Sequence, residues 1–264
     1  MAVPTKRKTQ GEIDPKNVVA AARRGGGRRA PLPRWDTIKS ILGAVIIFLV
    51  IRTFLVEAYH IPSGSMEPTL LVGDFLFVNK VVYGAHVPFT SVNLPGFSDP
   101  TRASVAVYES PSQARLRPEL RIPGDLTPVV VKRLVGTPGD TLYMRGGLLY
   151  VNGAAQPTDS VSGLRPLGWA DGPDPSFDWQ KKYEIANSRF GPPPARPTHD
   201  DWGPFVVPPL HYFSLGDNRY NSVDARYYGF IPRANIRGRP MFIYLSIDFD
   251  DWRVRWGRIG EGIR

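Results

Sequence analysis

IPSGSMEPTL, residues 61–70, follows directly after the one long apolar run of the chain. Its proline and glycine residues cannot continue a helix, so the chain must turn here and change its architecture. Two hydroxyl side chains, Ser63 and Ser65, flank Gly64, which lets the backbone approach a substrate closely. By itself, such a turn fits a plain polar exit from a membrane anchor as well as a reactive site. The rest of the sequence has to decide between these interpretations.

Composition narrows the class of protein. The chain has 264 residues, enough for one large or two small domains, and its 26 Gly and 27 Pro favour a turn-rich β protein over a helical bundle. It has no cysteine, which excludes disulfides, thiolate metal sites and a cysteine nucleophile. The histidines lack the spacing of metal ligands, so we expect neither a metal nor another cofactor. They are His60, His86, His199 and His211.

The net charge of +9 is concentrated at the N-terminus. Residues 1–35 carry nine Lys and Arg against two acidic residues, whereas the remainder has 24 basic and 22 acidic residues. The part of the chain that can fold is therefore nearly neutral, which argues against a nucleic-acid partner. Residues 1–35 are polar and rich in Gly and Pro, and we predict a disordered basic tail.

Residues 36–57 are predicted to form a transmembrane helix. Only 12 uncharged residues separate Lys39 from Arg52, which by length alone also fits a signal-peptide core or a buried helix. Apolar residues resume after Arg52, however, and its guanidinium can reach the interface. A cleaved signal peptide is the alternative, but no small-residue cleavage site follows the run. The basic tail predicts a cytoplasmic N-terminus, with residues 58–264 on the other side of the membrane.

Strand patterns dominate after the turn, so we predict a mainly β, antiparallel domain with irregular insertions around 85–127 and 154–204. No internal repeat is evident. The predicted strands are 74–84, 104–108, 129–136, 141–144, 148–151, 205–207, 211–215 and 241–247.

A serine becomes a nucleophile only when another group takes its proton, and Lys132 is the best candidate for that group. It lies in the middle of an apolar strand, VVVKRLVG. If it faces inward, loss of hydration lowers its pKa and leaves a neutral amine that can act as a general base. A strand lysine can equally face solvent. The later loop GDNRYNSVDAR, residues 216–226, can likewise be a plain turn with a surface ion pair between Asp224 and Arg226.

The joint order of these motifs closely resembles the type I (leader) signal peptidase family. The serine turn follows the anchor, then come the lysine strand with its Gly-x-Pro-Gly-Asp ending and the loop at 216–226. The resemblance runs from about residue 40 to the C-terminus, excluding the insertions. It implies a membrane-bound serine endopeptidase that removes N-terminal signal peptides from exported preproteins through a Ser/Lys dyad.

Matched motif by motif, the resemblance implies Ser65 as nucleophile and Lys132 as general base. Ser63 and the backbone N–H of Ser65 match the oxyanion hole, and Ser222 matches the hydroxyl that orients the lysine amine. Gly216 lies where the family keeps room beside the lysine. The supporting charge network matches Arg133, Asp224 and Arg226. The sequence departs from the common pattern at Tyr220, where Asp is usual, and at Ala225, where Ser is frequent.

Family members accept small residues one and three positions before the scissile bond, which shallow apolar pockets would select. The substrate would bind as an added strand beside the serine and lysine segments. The matching lining residues are Tyr59, Ile61, Pro62, Met66, Leu70, Leu76, Val130 and Val131.

Two alternatives remain open on sequence grounds. One is a non-enzymatic, single-pass anchored β module, and the other is a different Ser/Lys peptidase of related fold, such as a self-cleaving repressor. We expect a monomer in contact with the lipid bilayer, in a bacterial inner membrane rather than an organelle membrane.

Overall fold

The computed structural model describes residues 35–84, 94–111, 129–156 and 167–264. The predicted disordered tail lies outside the described residues except for Trp35, and so do parts of both predicted insertions.

The N-terminal helix α1 spans Trp35–Val50 and continues as a π-helical turn, Ile51–Leu55. Together they form 21 residues, none of them buried, and are the one segment of the described chain long and apolar enough to cross a membrane. The predicted span at 36–57 therefore corresponds to a helix. The helix ends at Leu55 because Val56 already belongs to the first strand, Val56–His60, where it pairs with Asn79.

The strands of the described residues form two antiparallel sheets. The main sheet has the order β1-β2-β11-β3-β4-β9-β10, with β12 paired to β11, and the smaller sheet has the order β7-β6-β5-β8. The mainly β, antiparallel prediction is confirmed. The strands are β1 (Val56–His60), β2 (Asp74–Asn79), β3 (Val105–Glu109), β4 (Val129–Gly136), β5 (Thr141–Arg145), β6 (Leu148–Val151), β7 (Ala154–Ala155), β8 (Trp202–Val206), β9 (His211–Leu215), β10 (Ile231–Pro232), β11 (Ile236–Asp248) and β12 (Arg253–Val254).

Strand β2 is shorter than the predicted strand 74–84. Its side chains alternate between buried and half-buried positions, as expected for a strand with one face on the core. It ends at Asn79 because the Asn79 side chain accepts hydrogen bonds from the backbone N–H groups of Val81 and Val82, at 2.9 and 3.2 Å. A side chain that binds the backbone in this way replaces the strand ladder with a turn.

Strand β3 lies within the segment around 85–127 that was predicted to contain an insertion. The predicted short strand at 104–108 corresponds to β3, Val105–Glu109. In the structure β3 lies between β11 and β4 and pairs with both. It is buried over most of its length, so this part of the segment belongs to the core.

The second predicted insertion supplies ordered structure within its described part. Residues 175–182 form a 3₁₀ helix whose N-terminus is capped by Asp174, and Phe177 on it is buried. Strand β8 begins at Trp202, earlier than predicted, because Trp202 pairs with Met144 of β5. The predicted hairpin of β5 and β6 is present, and β8 extends it into a sheet.

Two clusters of buried apolar residues stabilise these sheets. The larger one includes Trp202, Phe205 and Phe213, and the smaller one includes Met66 and Leu76. Burial of apolar area contributes roughly 25 cal/mol per Å², so the aromatic cluster is a major stabilising element. The smaller cluster anchors the serine turn to the main sheet through Met66.

Candidate active site

The serine turn is a single 3₁₀ turn, Gly64–Met66, with buried Ser65 at its centre. It is attached to the loop after β9 by two hydrogen bonds from Asn218. The backbone N–H of Asn218 donates to the Ser65 carbonyl, and its side-chain amide donates to the Gly64 carbonyl, both at 3.1 Å. The position of Ser65 is therefore determined by the loop as much as by its own turn.

Lys132 faces inward. It lies on β4 opposite Ala106 of β3, and only 5% of its surface is exposed. Its Nζ donates to the Ser65 Oγ at 2.5 Å. Burial lowers the pKa of Lys132 to about 8, although the negative charge of Asp224 opposes that shift. Roughly a tenth of the amine is therefore neutral at pH 7 and about half at pH 8, and the neutral form is the one that a general base requires.

Ser63 lies beside Ser65 at the open side of the turn. Its backbone is extended, with φ −139° and ψ 152°, and its Oγ is 3.5 Å from the Ser65 Oγ. The side chain is exposed, so a ligand can reach it. Its hydroxyl can donate a hydrogen bond to an atom bound next to Ser65.

Asp224 and Arg226 form a fully buried ion pair behind the lysine. Arg226 donates to both carboxylate oxygens, from Nε and from Nη2, each at 2.8 Å, and the Gly216 N–H donates to Asp224 at 3.0 Å. Burial acts against the ionised carboxylate, but the Arg226 charge and these hydrogen bonds outweigh it. The pKa of Asp224 is therefore below its usual range.

Arg133, predicted as part of the supporting charge network, forms an ion pair with Asp217. Its guanidinium donates to both oxygens of Asp217, from Nε at 2.7 Å and from Nη2 at 2.6 Å, and Asp217 is fully buried. Thr69 donates to the same carboxylate at 2.6 Å. The predicted single network of Arg133, Asp224 and Arg226 is thus two pairs. Asp217 directly follows Gly216 in the loop motif, so the sequence could have marked it as a site residue. Its pairing with Arg133, in contrast, is visible only in the folded structure.

Gly216 keeps room for Ser222 and for the serine turn. A Cβ at Gly216 would lie 2.2 Å from Ser222 Oγ and 2.6 Å from the Ser65 carbonyl oxygen. Ser222 is buried and lies near enough to Asp224 to help lower its pKa. Within the described residues its Oγ makes no hydrogen bond to Lys132, in contrast to the predicted orienting role.

A cavity of about 220 Å³ opens beside the two hydroxyls and the amine. Six of the eight predicted pocket residues line it, together with His60 and Val129. Leu70 and Leu76 do not line it, because they are fully buried in the smaller core cluster, and their prediction as pocket residues is wrong. The six lining residues are Tyr59, Ile61, Pro62, Met66, Val130 and Val131.

Comparison with known proteins places this arrangement in a family. Residues 34–245 match the family model described as signal peptidase, peptidase S26. The signal peptidase I of Pseudomonas aeruginosa is 34% identical over 220 residues, covering 79% of this chain and 71% of that protein. That of Leptolyngbya laminosa is 33% identical over 220 residues, covering 83% and 84%. The chain belongs to the S26 signal peptidase family.

Membership in the signal peptidase family confirms the sequence-based assignment to a serine endopeptidase that acts on preproteins. It also argues against the two alternative interpretations, a non-enzymatic anchored module and a self-cleaving repressor. A crystal structure of a signal peptidase I from Enterococcus faecalis is 26% identical and covers 54% of this chain and 97% of that one, with a TM-score of 0.31. Signal peptidases are membrane-associated enzymes, in agreement with the apolar helix α1.

Proposed function

We propose that Ser65 is the nucleophile and Lys132 the general base of this signal peptidase. The observation that carries the proposal is the 2.5 Å contact between Lys132 Nζ and Ser65 Oγ, made by a buried amine whose pKa is lowered to about 8. A neutral amine at this distance can accept the serine proton directly. Of the described histidines, His199 contacts Arg226 and His211 contacts the Pro209 carbonyl, whereas His60 lines the cavity with its ring packed against Phe75.

The reaction then runs in two steps. In acylation, Lys132 Nζ takes the Ser65 proton while Oγ attacks the scissile carbonyl carbon, and the resulting ammonium protonates the leaving amine as the C–N bond breaks. In deacylation, Lys132 takes a proton from water, the hydroxide attacks the ester, and Ser65 Oγ regains the proton. The Ser63 hydroxyl and the Ser65 N–H would donate to the oxyanion, each contributing about 3 kcal/mol to transition-state stabilisation.

The ion pairs support this dyad indirectly. Arg226 and Asp224 fix the Gly216 end of the loop, and Arg133 and Asp217 fix the next residue of the same loop. We propose that both pairs hold the loop that carries Asn218 against the serine turn. Ser222 fills the space beside Gly216 and completes this packing.

The substrate would bind as an extended strand along the first half of β4. Residues 129–132 pair with β3 on one side, whereas the described pairing with β9 begins only at Arg133. A substrate strand can therefore add its backbone to this edge and place side chains in the 220 Å³ cavity. The apolar walls and small volume favour small residues one and three positions before the scissile bond.

The domain arrangement would then place cleavage at the membrane surface. The N-terminal residues 1–35 form a basic cytoplasmic tail, residues 36–57 form the anchor, and residues 58–264 form the peptidase domain on the outer side of a bacterial inner membrane. The enzyme would contact lipid through the anchor and act as a monomer. Protease digestion of sealed inverted vesicles that spares residues 58–264 supports this orientation, and digestion of that domain would contradict it.

Cleavage of a model preprotein in detergent tests the dyad. Ser65→Ala and Lys132→Met are each expected to abolish cleavage, because removing a nucleophile or its base removes the covalent pathway. His211→Ala is the matched control, since this histidine lies outside the site. Mapping the wild-type cleavage site should show small residues one and three positions before it. Cleavage retained by either dyad variant would overturn the assignment.

A further inference from the structure

Two side chains from the second predicted insertion contact Arg226, the arginine of the pair behind the lysine. Trp179 Nε1 donates to the Arg226 carbonyl oxygen at 2.7 Å. His199 Nε2 lies within hydrogen-bond reach of Arg226 Nη1. The insertion thus meets this residue through both its backbone and its guanidinium.

His199 is almost completely buried, and both of its ring nitrogens have polar neighbours. Nδ1 is 2.7 Å from Oδ1 of Asp200, which is itself fully buried. Nε2 faces two groups of opposite character, the donor Arg226 Nη1 and the carbonyl oxygen of Arg219 at 2.9 Å. A ring nitrogen can either accept from the first or donate to the second, so its proton decides which bond forms.

The surrounding hydrogen bonds favour one tautomer. The Arg219 carbonyl already accepts from Arg226 Nη2 at 2.6 Å, whereas the Asp200 carboxylate requires a donor from Nδ1. Burial, and then the Arg226 charge, lower the pKa of His199, because a protonated ring would place two cations in contact. The neutral ring with its proton on Nδ1 therefore leaves Nε2 free to accept from Arg226.

Tyr220 completes the surroundings of the histidine. Its ring stacks on the His199 ring with centroids 4.9 Å apart, and its hydroxyl donates to Asp200 at 3.3 Å. The aromatic ring thus supports the imidazole, and Asp200 supplies the carboxylate of this cluster.

We propose that His199 is a positioning residue of the peptidase, oriented by Asp200, which holds Arg226 in place against Asp224 by accepting a hydrogen bond from its guanidinium. The proposal rests on the proposed dyad of Ser65 and Lys132. It assigns to the second insertion a contact, through Trp179 and His199, that fixes Arg226 in the loop near the lysine.

The expected consequence appears in the titration of Lys132. The charged groups that act on its amine are Asp224 and Asp217, which raise its pKa, and Arg226, which lowers it. If Arg226 loses its acceptor and moves away from Asp224, the carboxylate acts on the amine without its counterion. The pKa of Lys132 should then rise, and less neutral amine remains at a given pH.

The test is the pH profile of kcat/KM for full-length enzyme in detergent with a peptide substrate. His199→Ala should move the acid limb to higher pH, so that kcat/KM at pH 7 falls about three- to tenfold while activity on the alkaline plateau is largely kept. His199→Gln should restore the limb, because its amide oxygen can accept from Arg226. His211→Ala, at a histidine outside the cluster, should leave the profile unchanged.

An unshifted acid limb in His199→Ala would overturn the proposal, and so would an equal loss at every pH. If His199→Ala does not fold, ¹⁵N chemical shifts of the wild-type histidines test the proposal instead, because they report which ring nitrogen of His199 carries the proton. A proton on Nδ1 with unprotonated Nε2 supports the proposal, whereas a proton on Nε2 contradicts it. Failure of the dyad itself is recognised separately. In that case Ser65→Ala would retain cleavage, whatever the pH profile of His199→Ala shows.

Discussion

At the scale of single residues, Lys132 sets a conflict between stability and activity. Its pKa is about 8 in the folded protein and about 10.5 for a solvent-exposed lysine, so the unfolded chain binds more protons between these two values. Stability should therefore rise as pH rises through that window and be lowest, with respect to this group, below about pH 8. By the usual conversion, burying the cation costs about 3 kcal/mol near neutral pH.

Lys132→Met should accordingly stabilise the inactive enzyme by about 1 to 3 kcal/mol at pH 7, with the gain shrinking toward pH 10.5, because the uncharged side chain fits the apolar site without desolvation. Denaturant unfolding of both proteins at several pH values measures this difference. Lys181→Met is the control, because Lys181 is half-exposed and forms an ion pair with Asp178 within its own helix turn. A Lys132→Met variant less stable than wild type at pH 7 would contradict the burial argument.

At the scale of elements, the loop after β9 depends on close contact with the serine turn at Gly216. Gly216→Ala would place a methyl group 2.6 Å from the Ser65 carbonyl oxygen and 2.2 Å from Ser222 Oγ. One of the two segments must move, so we expect a loss of about 1 to 3 kcal/mol in the free energy of unfolding and at least a tenfold loss of kcat. Denaturant unfolding and peptide cleavage measure the two effects.

Gly257→Ala is the matched control for this substitution. Gly257 also lacks a positive φ, and a Cβ added there meets no described atom within 4 Å. It should change neither stability nor kcat appreciably. Full activity in Gly216→Ala would show that the loop does not determine the position of Ser65.

Elements with a strong local signal could be predicted from the sequence, whereas contacts between distant elements could not. The lysine strand was predicted with the bounds of β4, and the β5–β6 hairpin within one residue, because apolar patterning and tight turns are local properties. The burial of Leu70 and Leu76 was missed, since a core leucine and a pocket leucine look alike in sequence. The Arg133–Asp217 and His199–Arg226 contacts join positions 84 and 27 residues apart.

At the scale of the whole molecule, the described part of the chain divides between Ile47 and Phe48 into two units, and the site lies in the second. Because no side chain of α1 is buried, removing residues 1–47 should leave the peptidase core intact. We expect this truncated enzyme to cleave a short peptide in detergent with the kcat/KM of the full-length enzyme. It should process a preprotein in vesicles at least about 10²-fold more slowly, because the proposed anchor would concentrate enzyme and substrate at one membrane. The same truncation carrying Ser65→Ala controls for background cleavage. Loss of peptide cleavage by the truncated enzyme would mean that the helix contributes to the catalytic unit itself.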